Sequence, residues 1–288
     1  MTAVAAVAAI ALFPVASRAA SVADAPPSPE PQQVVVTARE PALEEKSYRD
    51  LLAAMTHFEP YRADHPDARL RFHIYQRKDG IDMSVLRAWM QDPQDGTRVA
   101  LALAPDGSFT LPVLPKMRDD DAIVRTNMPD GTLAWLTEIS RAGDDERHRL
   151  LGDLREQCLL DVRYAHTGRA IKTPLTLAME AASDNVCLMR GVTWGAYSPQ
   201  PLFSVHLAAG DRRAIALSDR LHCQLSPALI IPLTDACYTQ RDRVYASPLN
   251  DASWPDDTSV DLVYVDDVDP SAVPPVVASS SAASAAKP

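Results

Sequence analysis

Four of the ten glycines in this chain directly follow an aspartate, and they punctuate a stretch in which apolar and polar residues alternate. The pairs are Asp79-Gly80, Asp95-Gly96, Asp106-Gly107 and Asp130-Gly131. Both residue types tolerate the positive φ of tight turns, and a period of two places apolar side chains on one face of a strand. Residues 70–139 are therefore predicted to form short antiparallel strands in a β-sandwich-like arrangement or a small open barrel.

Two segments, residues 42–58 and 144–160, follow a different pattern. Their apolar residues recur at spacings of three and four, and acidic residues stand near the start of each segment. Such spacing gives one apolar helix face, and the helix dipole favours acids in the first turn. The sequence therefore predicts a mainly β, α+β fold with two amphipathic helices.

A second β-rich region is predicted after residue 173, where short apolar runs are separated by Pro, Gly and Asp. The predicted strands are residues 186–189, 202–207, 214–217, 229–233 and 260–265. We expect this region to pack against the first β-rich region rather than to fold alone.

The N-terminus has the features of an export signal. Residues 3–15 are almost all Ala, Val, Ile or Leu, a run too short for a permanent transmembrane helix but suited to a signal peptide. Small residues at positions 17 and 19 and at positions 23 and 25 offer two cleavage sites. We predict that residues 1–25 are removed and that the mature chain, without a transmembrane segment, is periplasmic or secreted.

Composition divides the rest of the chain into four parts. Residues 26–41 form a proline-rich linker with a β-prone peptide, and residues 42–140 hold the first helix and the antiparallel strands. Residues 141–269 hold the second helix and the second β-rich region. Residues 270–288, which are Ser, Ala, Val and Pro apart from Lys287, are predicted to be a disordered tail.

The four cysteines, Cys158, Cys187, Cys223 and Cys237, are an even number in a chain predicted to be exported, which indicates two disulfides. Three pairings are possible. We favour Cys158–Cys187 and Cys223–Cys237, because neighbours in sequence tend to be neighbours in space. A metal site is the alternative, but there is no Cys-x-x-Cys motif to favour it.

Charge and motifs exclude several classes of function. The formal net charge is −10 and no basic patch is present, which argues against nucleic acid as a partner. The chain has neither the Gly-x-Ser-x-Gly motif of many serine hydrolases nor a glycine-rich phosphate loop. We therefore predict no cofactor and favour a non-catalytic protein, while an enzyme whose carboxylates are brought together by the fold stays open.

Some residues remain candidates for a functional site. Asp64, His65 and Asp67 carry potential metal ligands and are weak candidates for a metal site, because a polar turn between a helix and a strand explains them better. The possible general acids or bases are Glu138, Glu156 and Glu180. The aromatic residues that could line a ligand groove are Trp89, Trp135, Trp194, Trp254 and Tyr197.

Residues 33–38 read Gln-Val-Val-Val-Thr-Ala and follow the predicted signal and linker. This peptide resembles the TonB box of TonB-dependent outer-membrane receptors, which stands at the same place in those chains. The resemblance implies that Val34, Val35, Val36 and Thr37 add a strand to an envelope partner. It does not extend to receptor function, because the chain is too short for a plug and a large barrel.

Three functions remain open from the sequence. The first is a non-catalytic cell-envelope protein that acts as a binding or assembly module. The second is a periplasmic hydrolase that uses carboxylates or a metal. The third is a small-ligand-binding protein that uses its Trp and Tyr side chains.

Overall fold

The computed structural model describes residues 42–78, 80–119, 121–142, 146–165, 183, 185–189, 193–217, 230–231 and 241–268. Within these residues, mostly antiparallel strands form four small sheets, and two α-helices exceed seven residues. The prediction of a mainly β, α+β fold is therefore confirmed. No helix in the described part is both long and apolar enough to cross a membrane.

Residues 42–142 form two sheets, and all strand pairs within them are antiparallel. The first sheet runs in spatial order through β1 (Leu43–Ser47), β6 (Ile123–Pro129), β3 (Ala88–Gln91) and β4 (Arg98–Ala100). The second runs through β5 (Ser108–Phe109), β2 (Ala68–Gln76) and β7 (Leu133–Arg141). Two helices accompany them, α1 (Tyr48–Asp64) and the short α2 (Pro115–Asp119).

The described residues after 145 form two more sheets. One runs through β11 (Arg212–Leu217), β10 (Leu202–Ala209), β14 (Ser259–Tyr264) and β8 (His148–Leu150). The other runs through β12 (Ile230–Ile231), β9 (Thr193–Tyr197) and β13 (Val244–Ala246), and its β12–β9 pair is parallel. The helix α3 (Leu151–Leu160) follows β8 directly, and residues Asp161–Ala165 continue it as a π-helix.

The first predicted helix begins six residues later than expected. Residues 43–47 form β1, which pairs with β6 about 80 residues further along the chain. The side chain of Glu44 is buried and accepts a hydrogen bond from the Gly131 backbone N–H at 2.5 Å. The helix starts where Ser47 caps it by accepting from the Asp50 N–H. The acids at 44 and 45 were therefore wrongly assigned to a first helical turn.

The start of the second predicted helix was also wrong. Residues 148–150 form β8 against β14, and α3 begins only at Leu151, whose N–H donates to the Thr258 carbonyl. Residues 143–145 lie outside the described part. The expected apolar face is present from Leu151 onward, since Leu151, Leu154 and Cys158 are all buried.

Another prediction, a strand over residues 186–189, was wrong because Val186–Leu188 form a 3-10 turn. Asn185 caps this turn by accepting a hydrogen bond from the Cys187 N–H. The predicted strands over 202–207, 214–217 and 260–265 correspond to β10, β11 and β14. Of the predicted strand 229–233, the described residues show the two of β12.

The glycines of all four Asp-Gly pairs have positive φ, between 73° and 85°, as the turn prediction requires. Gly96 lies in the hairpin between β3 and β4, which pair with each other. Gly80, Gly107 and Gly131 differ, because the strands before and after each of them belong to different sheets. The hairpins expected at these three turns were therefore wrong, and the chain crosses from one sheet to the other at each.

The buried apolar side chains form two large clusters. One includes Tyr48 and Trp135 and draws almost entirely on residues 48–139, while the other surrounds Trp194 and Tyr245. A small third cluster joins residues of both regions: Tyr75, Leu136 and Val244, with Ala134 and Tyr197 packed against them. The centre of β2 is consequently buried on both faces.

A disulfide links Cys158 on α3 to Cys187 in the 3-10 turn, as predicted, with the two Cα atoms 6.1 Å apart. Both side chains are buried within the second cluster. The other favoured pair, Cys223 and Cys237, lies outside the described residues. The Cys158–Cys187 bond closes a long loop, because the two cysteines are 29 residues apart.

Removing this disulfide is expected to destabilise the chain. In the chain-entropy model, opening a loop of this length costs about 3–4 kcal/mol. The variant to test is Cys158→Ala/Cys187→Ala, with urea unfolding followed by circular dichroism. An unfolding midpoint equal to that of the wild type would show that the loop is constrained by other contacts.

Candidate functional site

A cleft of about 740 Å³ lies where the two β regions meet. One side is formed by the centre of β2 and by the segments 83–87 and 101–107. The other side is formed by Tyr197, Pro199 and Arg243. This volume falls within the range of small-molecule sites, which often lie between domains.

Three rings form a stack along the inner part of the cleft. His73 and Tyr75 are two residues apart on β2 and so project from the same face of the strand. Their ring centroids are 3.9 Å apart, and the Tyr197 ring, at the end of β9, follows Tyr75 at 3.6 Å. Tyr75 is buried, whereas Tyr197 is only partly buried and forms the outer ring.

A charged network lies beneath this stack. Nδ1 of His73 is 3.3 Å from Oε2 of Glu138, without the geometry of a well-formed hydrogen bond, and Nε2 is in close contact with the Asp106 carbonyl oxygen. The other oxygen of Glu138, Oε1, accepts a hydrogen bond from Nη2 of Arg149 at 2.8 Å. Nη1 of Arg149 donates to the Ile139 carbonyl at 2.6 Å. The network thus joins β2, β7 and β8.

Burial raises the pKa of Glu138, but the adjacent His73 ring and the positive charge of Arg149 outweigh it and lower this pKa to about 2. Burial lowers the pKa of Arg149, and the Glu138 charge more than reverses that effect. Burial also raises the pKa of Tyr75 well above its usual value. At neutral pH, Glu138 and Arg149 are therefore a buried ion pair and Tyr75 is a neutral phenol.

The turn at Asp106-Gly107 forms one edge of the cleft. Gly107 has φ +85°, and a Cβ atom built there would lie 2.7 Å from the Ile74 carbonyl oxygen. Two requirements therefore coincide at Gly107, a left-handed backbone and a close approach to β2. Gly96 has a similar φ of +73°, but no atom lies within 4 Å of its Cβ position.

This difference predicts unequal costs for two alanine substitutions. Gly96→Ala meets only the backbone strain of positive φ and is expected to cost about 1 kcal/mol. Gly107→Ala must also displace the β2 backbone and is expected to cost about 3 kcal/mol. Urea unfolding of both variants measures the difference in their free energies of unfolding. Equal losses of stability would mean that the β2 backbone shifts to accommodate the new Cβ atom without an energetic cost.

A second groove, of about 1010 Å³, runs along α1 next to the π-helix. It brings His57, Asp64, Glu156 and Tyr164 to one surface. Burial, and then the charge of Arg163, lower the pKa of His57, whereas burial raises the pKa of Glu156. The chain immediately after residue 165 lies outside the described part, so this groove carries no functional argument.

The predicted metal ligands stand at the end of α1 without forming a cluster. The His65 ring stacks on Tyr61 with centroids 4.3 Å apart, and Asp67 accepts a hydrogen bond from Arg141 at 3.0 Å. Asp64 is exposed. In the described ranges, no three His, Cys, Asp or Glu side chains are arranged to hold a metal ion.

The other sequence candidates are widely separated. Trp135, Trp194 and Trp254 are core residues and Trp89 is partly buried, so of the aromatic candidates Tyr197 lines the cleft. The peptide Val34, Val35, Val36 and Thr37 lies outside the described residues, as does Glu180.

Sequence reasoning singled out Glu138 but missed His73 and Arg149, the two side chains that hold it. A signal existed in the sequence, because Glu138 interrupts the apolar residues of β7, where a buried carboxylate requires a cation.

No family model, curated protein or solved structure matches this chain.

Proposed function

We propose that this chain is an exported, non-catalytic binding protein and that the cleft between its β regions holds a small ligand. The observation that carries the proposal is the partly exposed Tyr197 ring, held against Tyr75 at the opening of a cleft of suitable volume. A rigid ring of this kind offers a large contact area at little conformational cost.

The charged groups near the cleft support binding rather than catalysis. Both ring nitrogens of His73 face oxygen atoms of the protein, so neither is directed at a ligand. Glu138 is 6% exposed and is held by Arg149. A general base must reach the proton that it abstracts. These groups instead join the two β regions, which fixes the shape of the cleft.

Export and an envelope partner belong to the same proposal. The apolar N-terminal run supports export, and the Cys158–Cys187 disulfide is typical of oxidising compartments. Periplasmic or secreted location remains a prediction, as does strand addition by residues 34–37 to an envelope protein.

Thermal unfolding of the full chain with a library of sugars, amino acids, carboxylates, phosphates and short-chain lipids tests the binding function. A compound that binds only the native state stabilises it, by about 2.7 kcal/mol at a concentration of 100 times Kd. We expect at least one class to raise Tm in the wild type. Tyr197→Ala should abolish that shift.

The matched control is Tyr164→Ala, which removes a tyrosine from the groove along α1 instead. It should leave the shift unchanged. No stabilising compound in the whole library, or equal loss of the shift in both variants, would contradict a ligand site in the cleft.

A further inference from the structure

The cleft is lined by two guanidinium groups, Arg87 and Arg243, and by one carboxylate, Asp106, among the described residues. We propose that its ligand is a small organic anion whose carboxylate or phosphate group is bound by Arg87 and Arg243. This inference rests on the proposed binding function and names the chemical class of the ligand.

Arg87 stands on a segment that is fixed before any ligand arrives. The Arg87 N–H donates to Oδ1 of Asn127 at 2.7 Å, and the Arg87 carbonyl accepts from the Asn127 N–H at 3.1 Å. Nδ2 of Asn127 also donates to the Val85 carbonyl at 2.9 Å. The guanidinium itself donates to the Leu86 carbonyl, and no carboxylate among the described residues pairs with it.

Arg243 occupies the opposite side of the cleft. Its Nη1 donates to the Pro199 carbonyl at 2.6 Å. Burial raises the pKa of Tyr197, and the Arg243 charge and its hydrogen bond to the Tyr197 hydroxyl oppose that rise. A guanidinium has five N–H donors, so these two contacts leave donors for an oxyanion.

The lining carboxylate does not cancel these charges. Oδ1 of Asp106 accepts from the Ser108 N–H at 2.9 Å and from the Ser108 hydroxyl at 2.6 Å. Oδ2 of Asp106 lies 3.5 Å from Nη2 of Arg71, which does not line the cleft. Behind the ring stack, Glu138 and Arg149 balance each other. The cleft is therefore locally positive in a chain whose net charge is −10.

The apolar lining indicates the rest of the ligand. Met83, Leu101 and Leu103 line the cleft together with Tyr197. An aromatic or aliphatic body can contact these side chains while its oxyanion reaches the two arginines. Contacts with two guanidinium groups position the anion. They also disfavour an uncharged ligand of the same shape, because that ligand would displace water from the arginines without giving them a charged acceptor.

Isothermal titration calorimetry of the full chain tests this inference with benzoate, phenyl phosphate and the uncharged benzamide. We expect one or both anions to bind and benzamide to bind at least tenfold more weakly. Because hydrogen bonds to charged groups contribute about 1.5–3 kcal/mol, Arg87→Gln and Arg243→Gln should each weaken anion binding by about 10–100-fold. The anion that binds more tightly, benzoate or phenyl phosphate, shows whether the cleft prefers a carboxylate or a phosphate.

Arg213→Gln is the matched control, because Arg213, like Arg87, is exposed and donates to backbone carbonyls, but it lies on β11. It should leave affinity unchanged. If benzamide binds as tightly as the anions and only Tyr197→Ala weakens binding, the proposal of an anionic ligand is wrong and the proposed binding function stands. The proposal of an anionic ligand is also wrong if neither anion binds at millimolar concentration. The library screen with Tyr197→Ala then tests the binding function separately.

Discussion

Glu138→Gln is expected to destabilise the protein by about 3–5 kcal/mol at neutral pH, because it leaves Arg149 buried without an anion. Arg149 is 8% exposed, and besides Glu138 its guanidinium contacts only one carbonyl, that of Ile139, among the described residues. Urea unfolding at pH 7 measures the effect. The network joins three strands, so we also expect the variant to lose protection from hydrogen exchange around the cleft.

Two further variants separate this cost from that of any lost ion pair. Glu45 pairs with Arg125 at 2.6 Å near the surface, and Glu45→Gln is expected to cost less than about 1 kcal/mol. The double variant Glu138→Gln/Arg149→Met removes the unpaired charge and should be more stable than Glu138→Gln alone. Equal stabilities of Glu138→Gln and Glu45→Gln would refute this account.

The same network predicts a loss of stability in acid. Burial alone would raise the pKa of Glu138, but His73 and Arg149 lower it from 4.5 to about 2. A carboxyl whose pKa is lowered in the folded state stabilises that state above its unfolded pKa. The contribution is lost as the pH falls from about 4.5 to about 2. Glu138→Gln should remove this part of the pH dependence.

Asp161 is expected to change stability with pH in the direction opposite to Glu138, because its pKa is raised rather than lowered in the folded state. Asp161 is fully buried at the start of the π-helix, where Oδ1 accepts from the Thr137 N–H at 2.6 Å and from the Thr137 hydroxyl at 2.7 Å. Burial raises its pKa from 3.8 to about 7, although the Thr137 hydrogen bonds, the nearby Trp194 indole N–H and the Lys46 charge oppose the rise. A neutral acid is therefore favoured in the folded state.

A raised folded-state pKa stabilises the protein below the unfolded pKa, and this stabilisation is lost as the pH rises through about 7. Ionising Asp161 is thus expected to cost about 4 kcal/mol between about pH 4 and pH 8. Asn keeps an acceptor for Thr137 and carries no charge. Unfolding curves across this range should be flatter for Asp161→Asn than for the wild type.

The exposed Asp257 provides the control, and Asp257→Asn should leave the curve unchanged. If the stability of Asp161→Asn depends on pH as steeply as that of the wild type, a group other than Asp161 causes the pH dependence. Glu138 and Asp161 together predict that stability is greatest near pH 4–5, since one contribution is lost below that range and the other above it.

Local patterns predicted the elements whose causes are local. The alternation around residues 70–74 predicted a strand that is now β2, and the Asp-Gly pairs predicted turns with positive φ. The Cys158–Cys187 pairing was also predicted, because cysteines that are neighbours in sequence tend to be neighbours in space. For the strand and the turns, the preference depends on a few neighbouring residues.

The errors occurred where a distant partner decides the structure. Residues 43–47 and 148–150 have helix-compatible patterns, yet each forms a strand because β6 or β14 offers its backbone an antiparallel partner. Such a partner satisfies backbone groups that a frayed first helical turn would leave exposed. The sequence of the segment alone does not contain that information.

By itself, the sequence determined the fold class, the left-handed turns and one disulfide. Only the tertiary structure decided the cleft, because His73, Arg87, Tyr197 and Arg243 are brought to it from positions up to 170 residues apart. Each of these side chains is unremarkable in its own segment. Their joint chemistry arises from packing between two β regions, and that packing depends on long-range contacts that no local spacing encodes.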